Sequence, residues 1–312
     1  MSSITLPRPA AGPPGSGESL WAKLGQDRWL RFTLLLPAVI VLVVFSVYPL
    51  LYSLYTSLWN YRFGKFTTFA GLDNYQHMFS DGAFWNSIGT TLIFTGVVVP
   101  TELVLGLLLA LILVEDVRFR TLYRTAYIIP MVLAPVVVGI IFRLLYNTEF
   151  GLPNYILGEL LHLPRPDWFG NPQLALPSVM VMDIWQWTPF MFLVLLAGLQ
   201  TIPLDLLEAA RVDGASYWTS LRYITLPLLR PTILVALLVR TMDALRLFDQ
   251  VYVTTLGGPG TATEVVSFFV YKVAFKFSQM SYAAALLIVL LVITLIISTL
   301  YIRVLNVSHV AE

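Results

Sequence analysis

Six long, mostly apolar runs govern what this chain can fold into: Phe32–Tyr55, Ser87–Val114, Thr125–Tyr146, Leu174–Gln200, Leu226–Thr255 and Tyr282–Leu305. About 20 such residues, rising about 1.5 Å each as a helix, cover the hydrocarbon core of a bilayer. Within that core every backbone N–H and C=O must be bonded inside the protein, so only helices and closed barrels can cross. These runs are long and lack the polar–apolar alternation of barrel strands, which selects helices. Composition agrees. Only 12% of the 312 residues are charged and 57% are hydrophobic, where a soluble domain would carry about 25% charged residues. The expected class is an all-α polytopic membrane protein with six transmembrane helices over residues 31–306, flanked by tails at 1–30 and 307–312. A net charge of +1 gives no basis for nucleic-acid binding, and the absence of Cys excludes disulfides, thiolate metal sites and a lipid-modified cysteine.

The distribution of Lys and Arg orients the spans. With the N-terminus in the cytoplasm, eleven lie inside: Arg8, Lys23, Arg28, Arg31, Arg118, Arg120, Arg124, Arg211, Arg222, Arg230 and Arg303. Five lie outside (Arg62, Lys65, Arg165, Lys272 and Lys276), and three fall in spans. Both termini are therefore expected in the cytoplasm of a multi-pass protein of the cell membrane. Residues 1–19, rich in Pro, Gly and Ser, read as a disordered tail. Ser19–Arg31 reads either as a short interfacial helix or as an irregular lead-in. A cleaved signal peptide is not expected, because the first apolar run is too long. The outer segments Thr56–Asn86, Asn147–Gln173 and Leu256–Ser281 carry Trp59, Tyr61, Phe63, Trp85 and Trp168. These form either an interfacial aromatic belt or a folded outer face that receives a partner protein. Pro100, Pro130, Pro135 and Pro189 lie within spans and predict bent helices around a cavity. No internal repeat is apparent, which weakens an inverted-repeat secondary transporter.

Between the fourth and fifth runs stands EAARVDGASYWTSLRYITLP, Glu208 to Pro227. Pro203 predicts that a helix starts near it; Asp205 as N-cap and Glu208 three residues on match a capping box. Leu206, Leu207, Ala209 and Ala210 give that helix an apolar face. Gly214 suits a stop needing positive φ, Ser216 can cap a second short helix carrying Tyr217, Trp218, Leu221 and Ile224, and Pro227 marks the start of the next span. The result is a helix–turn–helix hook over residues 203–224. Its spacing, Glu-Ala-Ala, three residues, Gly214, nine residues, then Ile224-Thr225-Leu226-Pro227, resembles the EAA loop of ABC importer permeases at every fixed position. Leu247-Phe248-Asp249-Gln250-Val251-Tyr252 through Gly257-Gly258-Pro259, the later Thr263-Glu264, and the outer Gly71-Leu72-Asp73-Asn74-Tyr75 and Gly151-Leu152-Pro153-Asn154 resemble the carbohydrate-uptake branch, most closely the F-type subunit of maltose permeases. The likeness runs from about Thr33 to Leu305.

The resemblance implies a type I ABC importer permease fold with a cytoplasmic coupling helix. Glu208, Ala209, Ala210, Asp213 and Gly214 would couple it to an ATPase. It further implies a second, G-type EAA-loop permease, an ABC ATPase dimer that binds the ATP and Mg, an extracytoplasmic solute-binding protein, and a carbohydrate or polyol as solute. The chain itself is expected to hold no cofactor or metal and to catalyse no reaction. It has no G-x-x-x-x-G-K-[ST] phosphate loop and no H-E-x-x-H, and His77, His162 and His309 fall outside the spans.

Ionisable residues in spans usually face a cavity or one another. Here they are Glu102, Arg143, Asp183, Arg240, Asp243, Arg246 and Asp249. The last four recur every three residues on the fifth run, a ladder winding round half a helix, with Arg240 and Asp243 near the midplane. They read either as a packing chain of ion pairs or as contacts to solute. Asp183, Gln186, Trp187 and Phe190 share a helix face and suit a sugar, with aromatic planes for its C–H surface and polar groups for its hydroxyls. The candidate solute pathway is Gln186, Trp187, Phe190, Arg240, Asp243, Ala244 and Leu247. Rival readings are an ion- or proton-coupled secondary transporter using the charges of the fifth run, and a membrane enzyme, against which the lack of convergent His or Cys argues.

Overall fold

The computed structural model describes residues 28–62, 64–114 and 120–304. Most of the 1–30 tail, all of the 307–312 tail and residues 115–119 of the loop after the second run lie outside the described residues, as does most of the expected interfacial helix. The chain divides into two units, Met1–Ser53 and Leu54–Glu312. The first holds α1 (Arg28–Leu42), which a π turn over Val43–Val47 carries into the start of α2 (Tyr48–Ser57). Residues Leu35–Ser57 are long and apolar enough to cross a membrane.

The second unit opens with an antiparallel hairpin, β1 (Trp59–Arg62) and β2 (Lys65–Phe69), in which Trp59 faces Phe69 and Tyr61 faces Phe66. This is a departure from the expected wholly helical chain. Aromatic and β-branched residues suit a pleated surface, and Trp59, Phe66 and Phe69 pack edge to face across it. Then follow α3 (Asp73–Ser80), the long α4 (Gly82–Val114), α5 (Arg120–Val132), α6 (Pro135–Leu145), α7 (Leu152–Tyr155), α8 (Pro172–Leu199), α9 (Leu204–Val212), α10 (Tyr217–Ser220), α11 (Leu226–Ala244), α12 (Asp249–Thr254), α13 (Val266–Tyr271) and α14 (Met280–Val304). A π turn, Leu221–Thr225, joins α10 to α11.

The core is laid down where α4 runs against α8. Phe94, Val98, Met182 and Met191 are fully buried there, and Val138, Val251 and Phe268 close the same cluster from α6, α12 and α13. Gly106 sets the spacing. A Cβ at this residue would stand 2.6 Å from Met191 Cβ and 2.8 Å from Phe192 N. A side chain would therefore force the backbones apart, which is why small residues mark close helix crossings in membranes.

Two runs expected to be single spans are broken. The third is split at Leu133–Ala134 into α5 and α6, bent by 96°. Pro135 is the first residue of α6, and Ala134 before it is extended, at ψ 138°, as the residue before a proline prefers. Pro100, Pro130 and Pro189, in contrast, lie inside continuous helices. The fifth run stops at Ala244 and restarts at Asp249. The ladder Arg240, Asp243, Arg246, Asp249 therefore does not wind along one helix: Arg246 sits in the break and Asp249 opens the next element. No Pro or Gly marks that break. Pro227 also does not begin the fifth span, since helix runs unbroken from Tyr217 through it. The preceding π turn widens the ring of backbone bonds and eases the clash that a proline makes with the carbonyl four residues back.

Candidate functional site

The hook is formed by α9, a tight turn and α10. Gly214 has φ +80°, Ala215 N–H donates to Ala210 O at 2.9 Å, and Gly214 N–H donates to Arg211 O at 3.1 Å. This pair of bonds is the Schellman stop, whose left-handed residue favours glycine. Ser216 Oγ then accepts from Thr219 N–H at 3.3 Å and caps α10. The start of α9 differs from the capping box read in the sequence. Pro203 occupies the cap with extended backbone, and no side chain bonds the free N–H groups. Asp205 lies inside the first turn instead, where a negative charge favours the positive end of the helix.

The hook divides by face. Ala210 is buried and Leu207 half-buried, while Glu208, Ala209, Asp213 and Gly214 are exposed. Beside them Leu204, Val212, Trp218 and Tyr223 are 70%, 88%, 72% and 70% exposed. Apolar side chains this open on a short helical hook make it a candidate docking surface.

The second candidate lies within the helices. Arg240 on α11 is 1% exposed. Its Nε donates to Glu102 Oε2 at 2.7 Å and its Nη2 to Glu102 Oε1 at 3.1 Å, a bidentate pair across to α4. Nη2 also donates to Asp183 Oδ2 on α8, and Nη1 donates to Asp243 Oδ2 at 3.0 Å, one turn along α11. The guanidinium lies over the Trp187 ring at 5.4 Å. Glu102 and Asp183 are buried with it, whereas the Asp243 side chain is 52% exposed. One cation thus ties three helices through the planar fork that lysine lacks.

A pocket of about 70 Å³ opens beside this cluster, lined by residues including Trp187, Arg240, Asp243, Ala244, Leu247 and Phe248. The structure therefore brings five of the seven candidate pathway residues to one cavity. Gln186 is fully buried behind it and donates from Nε2 to Leu133 O at 3.0 Å, the carbonyl at the bend between α5 and α6. Phe190 is half-buried and lies outside this lining. Of the expected i,i+3 ladder only the Arg240–Asp243 rung forms among the described residues. Sequence reasoning missed two members. Glu102 was seen as a charged residue in a span but not as a partner of Arg240, 138 residues away. Gln250 stands in the run that carries the family resemblance but not among the candidate pathway residues, yet it lines the pocket and donates to Gln186 Oε1 at 2.7 Å.

The second halves of the two broken runs pack together. Gly139 on α6 faces Val253 and Thr254 on α12, and Arg143 Nη1 donates to Val253 O at 3.2 Å.

Comparison with known proteins places these features. The chain is 39% identical over 276 residues to the trehalose/maltose transport system permease protein MalF of Thermococcus litoralis, covering 88% of this chain and 93% of that one. It is 37% identical over 288 residues to the sulfoquinovosyl glycerol transport system permease protein SmoG of Agrobacterium fabrum, covering 92% and 93%. A crystal structure of a bacterial alginate ABC transporter in complex with an alginate pentasaccharide-bound periplasmic protein contains a chain that superposes with a TM-score of 0.78 at 26% identity, covering 92% of this chain and 96% of that one. Residues 102–308 match the family described as the binding-protein-dependent transport system inner membrane component, and the chain belongs to this family of ABC importer permeases.

Proposed function

We propose that this permease subunit carries a neutral carbohydrate, pairs with a second, G-type EAA-loop permease, and is driven by an ABC ATPase dimer that docks on the hook. The observation that carries this reading is the union in one chain of an exposed apolar hook and a polar intramembrane pocket. The hook ends where α11 begins, and α11 carries Arg240 and Asp243 into the pocket. Force on Val212, Trp218 and Tyr223 therefore acts on a helix that lines the solute site. The named solutes of relatives, trehalose and maltose among them, favour sugars, and Trp187 and Phe248 supply aromatic planes at the pocket. In this reading Glu208, Ala209, Ala210, Asp213 and Gly214 shape the docking face. Trp187, Arg240, Asp243, Ala244 and Leu247 line half of the path, Gln186 holds the pocket from behind, and both termini lie in the cytoplasm as the Lys and Arg distribution expects.

Uptake of labelled trehalose or maltose by proteoliposomes holding both permeases and the ATPase, with the binding protein outside, tests it. Uptake should require ATP on the hook side and be indifferent to ionophores. Uptake that ionophores abolish and ATP leaves unchanged would overturn the reading in favour of an ion-coupled carrier.

A further inference from the structure

We infer that Gln250 is a solute-recognition residue whose side-chain carbonyl accepts a hydrogen bond from a sugar hydroxyl. The inference rests on the carbohydrate reading above. The orientation of its amide follows from a chain of donors and acceptors. Leu133 O can only accept, so Gln186 must present its NH2 group to it, at 3.0 Å. Gln186 Oε1 is then left as an acceptor, and Gln250 must present its own NH2 group there, at 2.7 Å. Flipping Gln250 would set carbonyl oxygen against carbonyl oxygen. Its Oε1 is thereby fixed on the far side of the amide.

That atom is buried and has no hydrogen-bond partner among the described residues, in a residue only 1% exposed. A buried acceptor without a partner is costly and rare. Gln250 also lines the pocket, beside Trp187, Asp243, Phe248 and Asp249. The charged groups on the pocket lining are Asp183, Asp243 and Asp249 against Arg240 and Arg246, three carboxyls to two guanidinium groups. A neutral hydroxyl satisfies the free carbonyl without adding a further anion, whereas a carboxylate or sulfonate would bring no proton to donate and would meet that surplus. Phe248 and Trp187 on the same walls suit the apolar face of the ring that carries the hydroxyl.

The test compares solute and residue together, in the reconstituted four-component importer. Trehalose, maltose and their monodeoxy derivatives serve as probes. Wild type should take up one deoxy derivative roughly tenfold less efficiently than its parent, the size expected for one lost hydrogen bond in a closed site. Gln250→Met should take up parent and that derivative equally, while ATPase retention stays at the wild-type level. If Gln250→Met fails to assemble, Gln186→Met serves instead; it frees the Gln250 amide to turn and should shrink the discrimination to less than about threefold. Discrimination that persists at tenfold in an assembled variant, or a wild type that rejects no deoxy derivative, would overturn the role of Gln250 and leave the carbohydrate reading standing. A wild type that imports neither sugar would overturn both.

Discussion

The hook turns Val212, Trp218 and Tyr223 outward at 88%, 72% and 70% exposure, while the ion cluster at the pocket holds Glu102 and Arg240 at 0% and 1%. Apolar groups face water in the first and charged groups are shut away from it in the second. Each arrangement is unfavourable alone, for opposite reasons: exposed apolar area costs about 25 cal/mol per Å² relative to burial, and a buried ion must recover its lost hydration from partners. The hook has no such compensation among the described residues, and in the proposed function the ATPase supplies it. The pocket is compensated internally, by four donor–acceptor pairs on one guanidinium. Changes in the pocket core should therefore destroy the subunit, and changes in the hook should spare the subunit and destroy only its attachment.

The largest expected effect is at Arg240. Arg240→Met strands two buried carboxylates, and breaking such a pair costs about 3–5 kcal/mol. The subunit should nearly vanish from the membrane fraction on immunoblots. Adding Glu102→Gln and Asp183→Asn should restore most of it, because no buried charge then remains unpaired. If Arg240→Met alone accumulates like wild type, the cluster does not hold these helices together.

Gly214→Val comes next. A Cβ there meets nothing within 4 Å, so the cost is purely that of holding a β-branched residue at φ +80°, of order 1–3 kcal/mol. Membrane abundance should stay at the wild-type level while co-purified ATPase falls at least tenfold. Loss of the subunit itself would erase the distinction between the two regions.

The smallest effect separates layers within the pocket. Asp243 binds Arg240, yet its side chain is half exposed and Glu102 and Asp183 keep the guanidinium paired without it. Asp243→Asn should leave abundance unchanged and raise the KM for trehalose uptake about three- to tenfold, the effect of one weakened polar contact. A fall in abundance like that of Arg240→Met would place Asp243 in the structural core instead.

How far each region was legible in the sequence follows from how local its determinants are. Pro203, Gly214 and Ser216 stand within fourteen residues of one another and act through backbone rules, so the hook was readable apart from the cap. There Asp205 promised a side-chain bond that Pro203 displaced by taking the cap itself. The Arg240–Asp243 rung follows from helical spacing alone. The pairing of Arg240 with Glu102 does not, because it depends on how α4 meets α11. Pro135 signalled a bend but not its 96° extent. The break at Leu245–Phe248 has no breaker residue. It coincides with contacts from elsewhere: Phe248 packs against Tyr271 with ring centroids 5.3 Å apart, and Gln250 is tied to Gln186 on α8.

The central claim is that force applied at the hook reaches the pocket through α11. Sugar-stimulated ATP hydrolysis by the reconstituted importer tests it most directly, with trehalose-loaded binding protein titrated against wild type, Gly214→Val and Asp243→Asn. Hydrolysis should be stimulated in wild type, unstimulated in Gly214→Val despite normal subunit abundance, and stimulated to the wild-type maximum in Asp243→Asn. Full stimulation together with full uptake in Gly214→Val would contradict it.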